Sequence, residues 1–309
     1  MAKNMVQFQK GISVIEFMEQ YGREDQCIFE LKKLRWPNGF ECPSCKSDKH
    51  CILSTKKLYQ CYSCNKQTSI TAGTIFHSTN LPLTKWFLAI YFMTQSKNGI
   101  SQLELSRQIG VSVNTGAKMY HKIAQVMMER EESKPLSGDV ELDDAYWGGK
   151  KKGKRGRGSE NKTPFIAAIE KIDNKPSRIK LSVISRFSQL EIAKWSRLNL
   201  AAETHVLSDG LHCFTAVKDA GCSHNAVIVG NSKDPSKTAL LKWINIILGN
   251  LKTALAGTFH KLGSNHLKRH LATFVYRFNR RYKLESMIKR FAYIAVRTAP
   301  MPYRLIIGA

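Results

Sequence analysis

The sequence predicts a multi-domain α/β protein: a mixed sheet flanked by helices, preceded by a helical segment, a small cysteine-bearing module and a helical pair. Three observations point there. Two Cys-x-x-Cys pairs lie in the first quarter of the chain. Helical periodicity dominates up to a polar stretch around Pro135, and strand-like runs follow it. The second half opens on a carboxylate-bearing strand, Val140 to Trp147, and closes on long helices.

Composition narrows the class. The chain has 309 residues, with 48 Lys and Arg against 24 Asp and Glu, a formal charge of +24. Such an excess suits a polyanion, most simply nucleic acid. Basic ribosomal proteins are usually shorter and have no need of a buried acidic strand. Met1 to Lys10 lacks the apolar core of a secretory signal. The greasiest runs, Trp86 to Met93 and Ile244 to Leu248, are too short to span a bilayer, so no membrane partner is expected. Eight cysteines, four of them in the two pairs, favour metal over disulfides in a cytoplasmic setting.

The first segment, residues 1–38, reads as two helices. Ser13-Val14-Ile15-Glu16 has the form of a capping box, and Ile15, Phe17, Met18 and Tyr21 supply an apolar face. A second helix runs from Glu24 to Leu34 and stops at Trp36-Pro37-Asn38-Gly39. Over 39–75, Cys42 and Cys45 are followed by fifteen residues and then Cys61 and Cys64. Four thiolates in two tight turns match tetrahedral zinc and leave no position for water, so the Zn2+ is structural. Ile52, Leu53, Leu58 and Tyr59 alternate with polar residues as hairpin strands do, giving a zinc ribbon.

Residues 80–132 read as a DNA-binding helical region. Leu83 to Thr94 is an apolar helix, a second ends at Gly110, and Ser112 caps a third. Leu105, Ile109, Val111 and Ala117 fall where a helix-turn-helix packs internally. Its second helix would then offer Asn114, Thr115, Lys118 and His121 to a major groove. An ordinary helical hairpin fits the pattern nearly as well.

Glu129 to Gly138 reads as the linker, and residues 138–285 as the main domain. Strands are expected at Val140 to Trp147, Pro164 to Ile172, Arg178 to Ser185, His205 to Gly210 (ending in a carboxylate and a turn) and Ala226 to Gly230. Helices are expected at Gln189 to Leu198, Lys237 to Gly257 and Ser264 to Tyr282, with a tail over 286–309. The segment joining the first two strands carries Lys150, Lys151, Lys152, Lys154, Arg155 and Arg157 among glycines, a loop suited to phosphates.

A buried carboxylate needs a positive partner, and a divalent metal is one such partner for Asp143. Asp209 ends a later strand. Asn245 and Lys252 stand seven residues apart, two turns on one helix face. Two aspartates on adjacent strands are the minimum for two-metal phosphodiester chemistry, and Lys252 can grip a phosphate. Strand alternation points Glu141 to the same face as Asp143, and Asp144 to the opposite one.

The sequence resembles the ISXO-like insertion-sequence transposases of bacteria over nearly its whole length. The likeness rests on Leu34-Arg35-Trp36-Pro37 running into the Cys42 pair, and on Glu141 to Lys150 (ELDDAYWGGK). It also rests on Ser208-Asp209-Gly210, Trp243-Ile244-Asn245, Leu251-Lys252 and Gly257-Thr258-Phe259-His260. It implies a zinc ribbon, a helix-turn-helix and an RNase H-like DDE catalytic domain. Asp143 and Asp209 would be the first two catalytic acids, with Mg2+ or Mn2+ as cofactor. The third acid should be glutamate with a lysine seven residues on. Lys252 is present, but Asn245 takes the third place, as in one branch of the family. An amide oxygen coordinates a hard metal without adding charge. Asp144 and Glu141 are the nearby carboxylates able to compensate.

The implied activity is binding of the element's terminal inverted repeats, cleavage of its ends and joining of 3′ hydroxyls to target DNA. Holding both ends together implies a homodimer or higher on DNA, in the cytoplasm at the nucleoid. The rival readings are a catalytically inactive DNA-binding regulator derived from such an enzyme, and a metal-dependent nuclease without strand transfer.

Overall fold

The computed structural model describes residues 10–148, 162–228, 240–259 and 262–307. The chain divides into two compact units, residues 1–126 with 280–309, and residues 127–279.

In the first unit, α1 (Val14–Tyr21) begins on the expected capping box. Ser13 Oγ accepts from Glu16 N at 3.1 Å, and Glu16 Oε2 accepts from Ser13 N at 2.8 Å. Only half of the expected apolar face is covered: Phe17 and Tyr21 are buried, while Ile15 and Met18 are exposed. Helix α2 (Glu24–Arg35) leads into a three-stranded antiparallel sheet of β1 (His50–Leu53), β2 (Leu58–Cys61) and β3 (Gln67–Ser69). Trp36, Phe40 and Tyr59 form its aromatic centre. The Arg35 guanidinium donates to Ser69 O, Ile70 O and Ala72 O, tying the end of β3 to α2.

Helix α3 (Leu83–Gln95) packs on both earlier helices, with Phe17 against Tyr91 at 4.8 Å and Tyr21 against Phe87 at 5.0 Å between ring centres. Its N-cap residue, Pro82, has no side chain to satisfy the first N–H groups. Glu24 does so from a distance, accepting from Leu83 N at 2.9 Å and Thr84 N at 3.1 Å. Helices α4 (Gln102–Gln108) and α5 (Val113–Glu132) flank a tight turn at Gly110, whose φ is +62°. Ser112 Oγ accepts from Thr115 N at 3.3 Å, as the sequence predicts. At Gly116 the two helices cross so closely that a Cβ would lie 2.6 Å from Ser106 Cβ.

In the second unit the expected linker is shorter and docked. Helix α5 continues to Glu132, and the residues after it are held in place. Leu136 is buried, Ser137 N donates to Glu170 Oε2 at 3.0 Å, and Arg178 donates to Pro135 O and Lys134 O at 3.1 Å. A polar composition cannot distinguish a loose linker from one whose carbonyls meet an arginine.

The sheet comprises β4 (Asp139–Trp147), β5 (Thr163–Ile172), β6 (Lys175–Val183), β7 (His205–Ser208) and β8 (Ser223–Ala226), ordered β6-β5-β4-β7-β8. The first three are antiparallel, whereas β4, β7 and β8 are parallel. Strand β6 starts at Lys175 rather than Arg178 because Asp173 and Asn174, at φ 50° and 55°, close a two-residue hairpin turn. Strand β8 precedes its expected position at Ala226 to Gly230 and overlaps it only at Ala226. Helix α6 (Gln189–Asn199) and a 3-10 helix (His212–Ala220) cover one face, where Leu142, Ile166 and Val206 meet Ile192, Trp195 and Phe214. Helix α7 (Lys242–Thr258) runs unbroken through Gly249, and residues 237–239 lie outside the described residues. With α8 (Leu267–Asn279) it covers the other face, where Ala145, Phe165 and Ile169 meet Ile244, Leu251 and Leu271. Burying each such aliphatic side chain contributes about 1.5–3 kcal/mol. Asn279 pairs with the edge strand like one more strand residue. Its Oδ1 accepts from Ile179 N at 2.8 Å, and its Nδ2 donates to Ile179 O at 3.1 Å.

The C-terminal residues return to the first unit. Helix α9 (Met287–Ala295) packs on α2 and α3, and Ile75 N donates to Ala295 O at 3.3 Å. In α10 (Tyr303–Ile307), the Tyr303 ring lies 4.6 Å from Lys118 Nζ. Among the described residues no helix is long and apolar enough to cross a membrane.

Candidate active site

The four ribbon cysteines converge as their spacing predicts. Cys42 and Cys64 sulfurs are 3.6 Å apart, and those of Cys45 and Cys61 are 3.5 Å apart. Zinc bonds each thiolate at about 2.3 Å. Tetrahedral sulfurs then stand rather less than twice that distance from one another, so these residues fit the metal. The N–H groups of Cys45 and Ser44 lower the Cys42 thiol. Burial pushes the Cys61 thiol up, but N–H groups of Cys64 and Ser63 aimed at its sulfur bring it down to about 6. The fit to zinc therefore rests on the convergence of the four sulfurs, and the chain carries a structural Zn2+ site.

The second cluster sits on the central strand. Leu142 pairs with Ser208 as the last pair of the parallel β4–β7 ladder, so Asp143, at the middle of β4, and Asp209, just past the end of β7, follow that pair side by side. Carboxylate oxygens of Asp143, Asp144 and Asp209 all lie within 4.8 Å of one another, and each residue is half-buried. Asp143 Oδ1 accepts from Asp144 N at 2.8 Å, and Asp209 Oδ1 accepts from Leu211 N at 3.1 Å. The turn under Asp209 is fixed twice. Gly210 has φ +87°, and a Cβ there would approach Ile228 Cγ1 to 3.2 Å. Buried Ser208 Oγ lies 2.9 Å from His224 Nε2 and accepts from Gly210 N at 3.4 Å. Three clustered carboxylates repel one another unless a cation sits among them, and hard divalent ions prefer such oxygens.

Asp144 corrects the strand-alternation reading. It does stand on the opposite face of β4, paired with Ile166, yet its carboxylate joins the cluster. The β4–β7 ladder ends at Leu142 and Ser208, so Asp143 and Asp144 both lie beyond its last pair. Glu141, on the Asp143 face, has a different partner. It is 1% exposed, accepts from Ile244 N at 2.9 Å, and pairs with Lys171 Nζ at 3.4 Å. Burial pushes its carboxyl up, against the pull of the Ile244 N–H and Lys171.

Asn245 and Lys252 are exposed on α7, between its buried residues Ile244, Leu248 and Leu251. Asn245 Nδ2 donates to Leu241 O at 3.0 Å. In the α4–α5 pair, Asn114 and Lys118 are exposed and Thr115 is half-buried. His121 is not offered outward as expected. It is 4% exposed, with Nε2 3.0 Å from Gln102 Nε2, because its turn of α5 faces α4. Lys150, Lys151, Lys152, Lys154, Arg155 and Arg157 lie outside the described residues.

Three antiparallel strands continued by two parallel ones, with helices on both faces and acids in the middle of β4 and at the end of β7, define an RNase H-like domain. Residues 135–279 match the ISXO2-like transposase domain, and residues 22–67 match the transposase zinc-ribbon domain. The chain thus joins a transposase zinc ribbon to an ISXO2-like transposase domain. It is 31% identical over 120 residues to an uncharacterized protein in transposable element ISH50 of Halobacterium salinarum. That match takes in 38% of this chain and 39% of the relative, so it spans about two fifths of the relative's length. Among solved structures, the Mos1 strand transfer complex aligns with 63% of this chain and 76% of that one, at 13% identity and TM-score 0.21. A pre-cleavage Mos1 transpososome aligns with 67% and 77%, at 11% identity and TM-score 0.21. The fold assignment rests on topology and family, not on these alignments.

Proposed function

We propose that the chain is the DNA transposase of an insertion sequence, binding its terminal inverted repeats, cutting its ends and joining them to target DNA. The observation that carries this reading is the Asp143–Asp144–Asp209 cluster, which joins the middle of β4 to the end of the adjacent β7. Asp143 and Asp209 are the principal metal ligands. Asn245 contributes Oδ1, since its Nδ2 is engaged by Leu241 O. Asp144 supplies the negative charge that an amide lacks. Mg2+ or Mn2+ held there supplies Lewis acidity toward the attacking hydroxyl and offsets charge on the leaving oxygen. Lys252, two turns along α7 from Asn245, binds the phosphate next to the scissile bond.

The zinc ribbon and the α4–α5 pair read the terminal repeats, with Asn114, Thr115 and Lys118 at the groove. Lys150, Lys151, Lys152, Lys154, Arg155 and Arg157 hold phosphates. The net charge of +24 supports this division of labour. Two chains act together on paired ends, at the nucleoid.

The test uses purified protein, labelled element ends and Mg2+ or Mn2+. Nicks at the element boundary, lost in both Asp143→Ala and Asp209→Ala, together with joined products, are expected. Tight binding without cleavage under any divalent ion leaves a DNA-binding regulator. Cleavage without joined products leaves a nuclease.

A further inference from the structure

Helix α7 has an N-terminus it cannot satisfy by itself. Its N-cap, Leu241, is apolar and makes no side-chain cap. The first N–H groups of a helix need partners, and Ile244 is fully buried, so water cannot supply one. Glu141 reaches across from β4 instead. Its Oε2 accepts from Ile244 N at 2.9 Å, and its other oxygen meets Lys171 Nζ of β5 at 3.4 Å. The positive end of the helix dipole and the lysine together compensate a carboxylate that is 1% exposed.

The position of this contact gives it meaning. Glu141 stands two residues before Asp143 on the same face of β4, and Ile244 immediately precedes Asn245. One side chain therefore spans from the strand bearing the first acid to the helix turn bearing the third site residue. We propose that Glu141 is a positioning residue of the catalytic site, a brace that sets Asn245 of α7 in register with Asp143 of β4. This rests on the reading of Asp143 and Asn245 as metal ligands. It separates the two acids that the sequence offers as compensating carboxylates: Asp144 joins the cluster, whereas Glu141 holds the scaffold.

The test compares Glu141→Gln, Glu141→Asp and Glu141→Ala in the full chain. Glutamine keeps the length and an acceptor oxygen; aspartate keeps the charge but is one methylene short. Three quantities are read: amide hydrogen exchange at Trp243 and Ile244 without divalent metal, Mn2+ affinity by electron paramagnetic resonance, and end cleavage. Exchange should rise and Mn2+ affinity fall in the order wild type, Gln, Asp, Ala, with roughly tenfold or more between wild type and Ala. Zinc content should stay constant. An aspartate variant that matches or exceeds the glutamine variant in both readouts overturns the brace, because charge rather than reach would then matter. So does faster exchange spread evenly over the sheet with Mn2+ affinity unchanged. Should the alanine variant not fold, the Gln–Asp comparison still decides. A wild-type protein that neither binds Mn2+ nor cleaves overturns the transposase reading instead, and exchange at Trp243 and Ile244 tells the two failures apart.

Discussion

His121 Nε2 lies 3.0 Å from Gln102 Nε2, so the histidine that the sequence assigns to DNA instead links helices α4 and α5. An amide nitrogen only donates, so the imidazole nitrogen accepts. His121→Ala leaves a cavity and an unpartnered amide. It should lower stability by about 1–3 kcal/mol in urea melts and leave discrimination between terminal repeats and scrambled DNA unchanged. Asn114→Ala should do the reverse. Loss of discrimination without loss of stability in His121→Ala restores the histidine to the DNA face.

Glu24 caps α3 through Leu83 N and Thr84 N, fifty-nine and sixty residues away in sequence. Glu24→Ala should destabilise the first unit by roughly 1–2 kcal/mol, the size of a lost helix cap. Hydrogen exchange should localise the effect to the start of α3. Uniform loss of protection across the unit would contradict a local cap.

Metal analysis should find about one zinc per chain. Cys61→Ser should lose it together with recognition of element ends, since β2 carries that ligand into the ribbon's aromatic core. Retention of stoichiometric zinc by Cys61→Ser would remove this residue from the ligand set.

At the acidic cluster, Asp144→Asn should weaken Mn2+ binding and slow end cleavage by about ten- to a hundredfold, the range for a supporting ligand. Asn245→Ala should slow cleavage comparably, while Asn245→Glu retains activity. Wild-type rates in Asn245→Ala would strike that residue from the site.

Lys180 of β6 is 4% exposed, and its Nζ donates to Asn199 Oδ1 at 2.8 Å. Burial brings its ammonium down to about 8. The folded form therefore releases this proton before the unfolded form does. Stability from this residue rises between pH 8 and the ordinary lysine range, and is lowest below pH 8. Thermal melts of wild type and Lys180→Met should differ in slope across that window, the rise being absent in the variant. Parallel profiles would show that Lys180 titrates normally.

The chemistry-bearing positions of the zinc site were legible because a Cys-x-x-Cys turn is local: spacing alone brings two sulfurs together, and two such turns complete a tetrahedron. The Ser13 capping box and the alternating strands were legible for the same reason. The Asp173-Asn174 turn is equally local, because asparagine and aspartate tolerate positive φ, and it sets the start of β6 three residues before the expected Arg178.

By itself, then, the sequence determined the class of chain, the ribbon ligands, and Asp143 and Asp209 as strand-borne acids. Tertiary structure decided what those neighbours do. Alternation along one strand fixes faces but not reach, so it could not bring Asp144 into the cluster, beyond the last pair of the β4–β7 ladder. Helical periodicity could not turn His121 inward, since that depends on where α4 crosses α5 at Gly116. Nor could any local pattern give Glu141 to the start of α7, 103 residues away. Local rules come from a few consecutive dihedral angles, whereas a buried carboxylate takes whichever distant N–H the packed core brings to it.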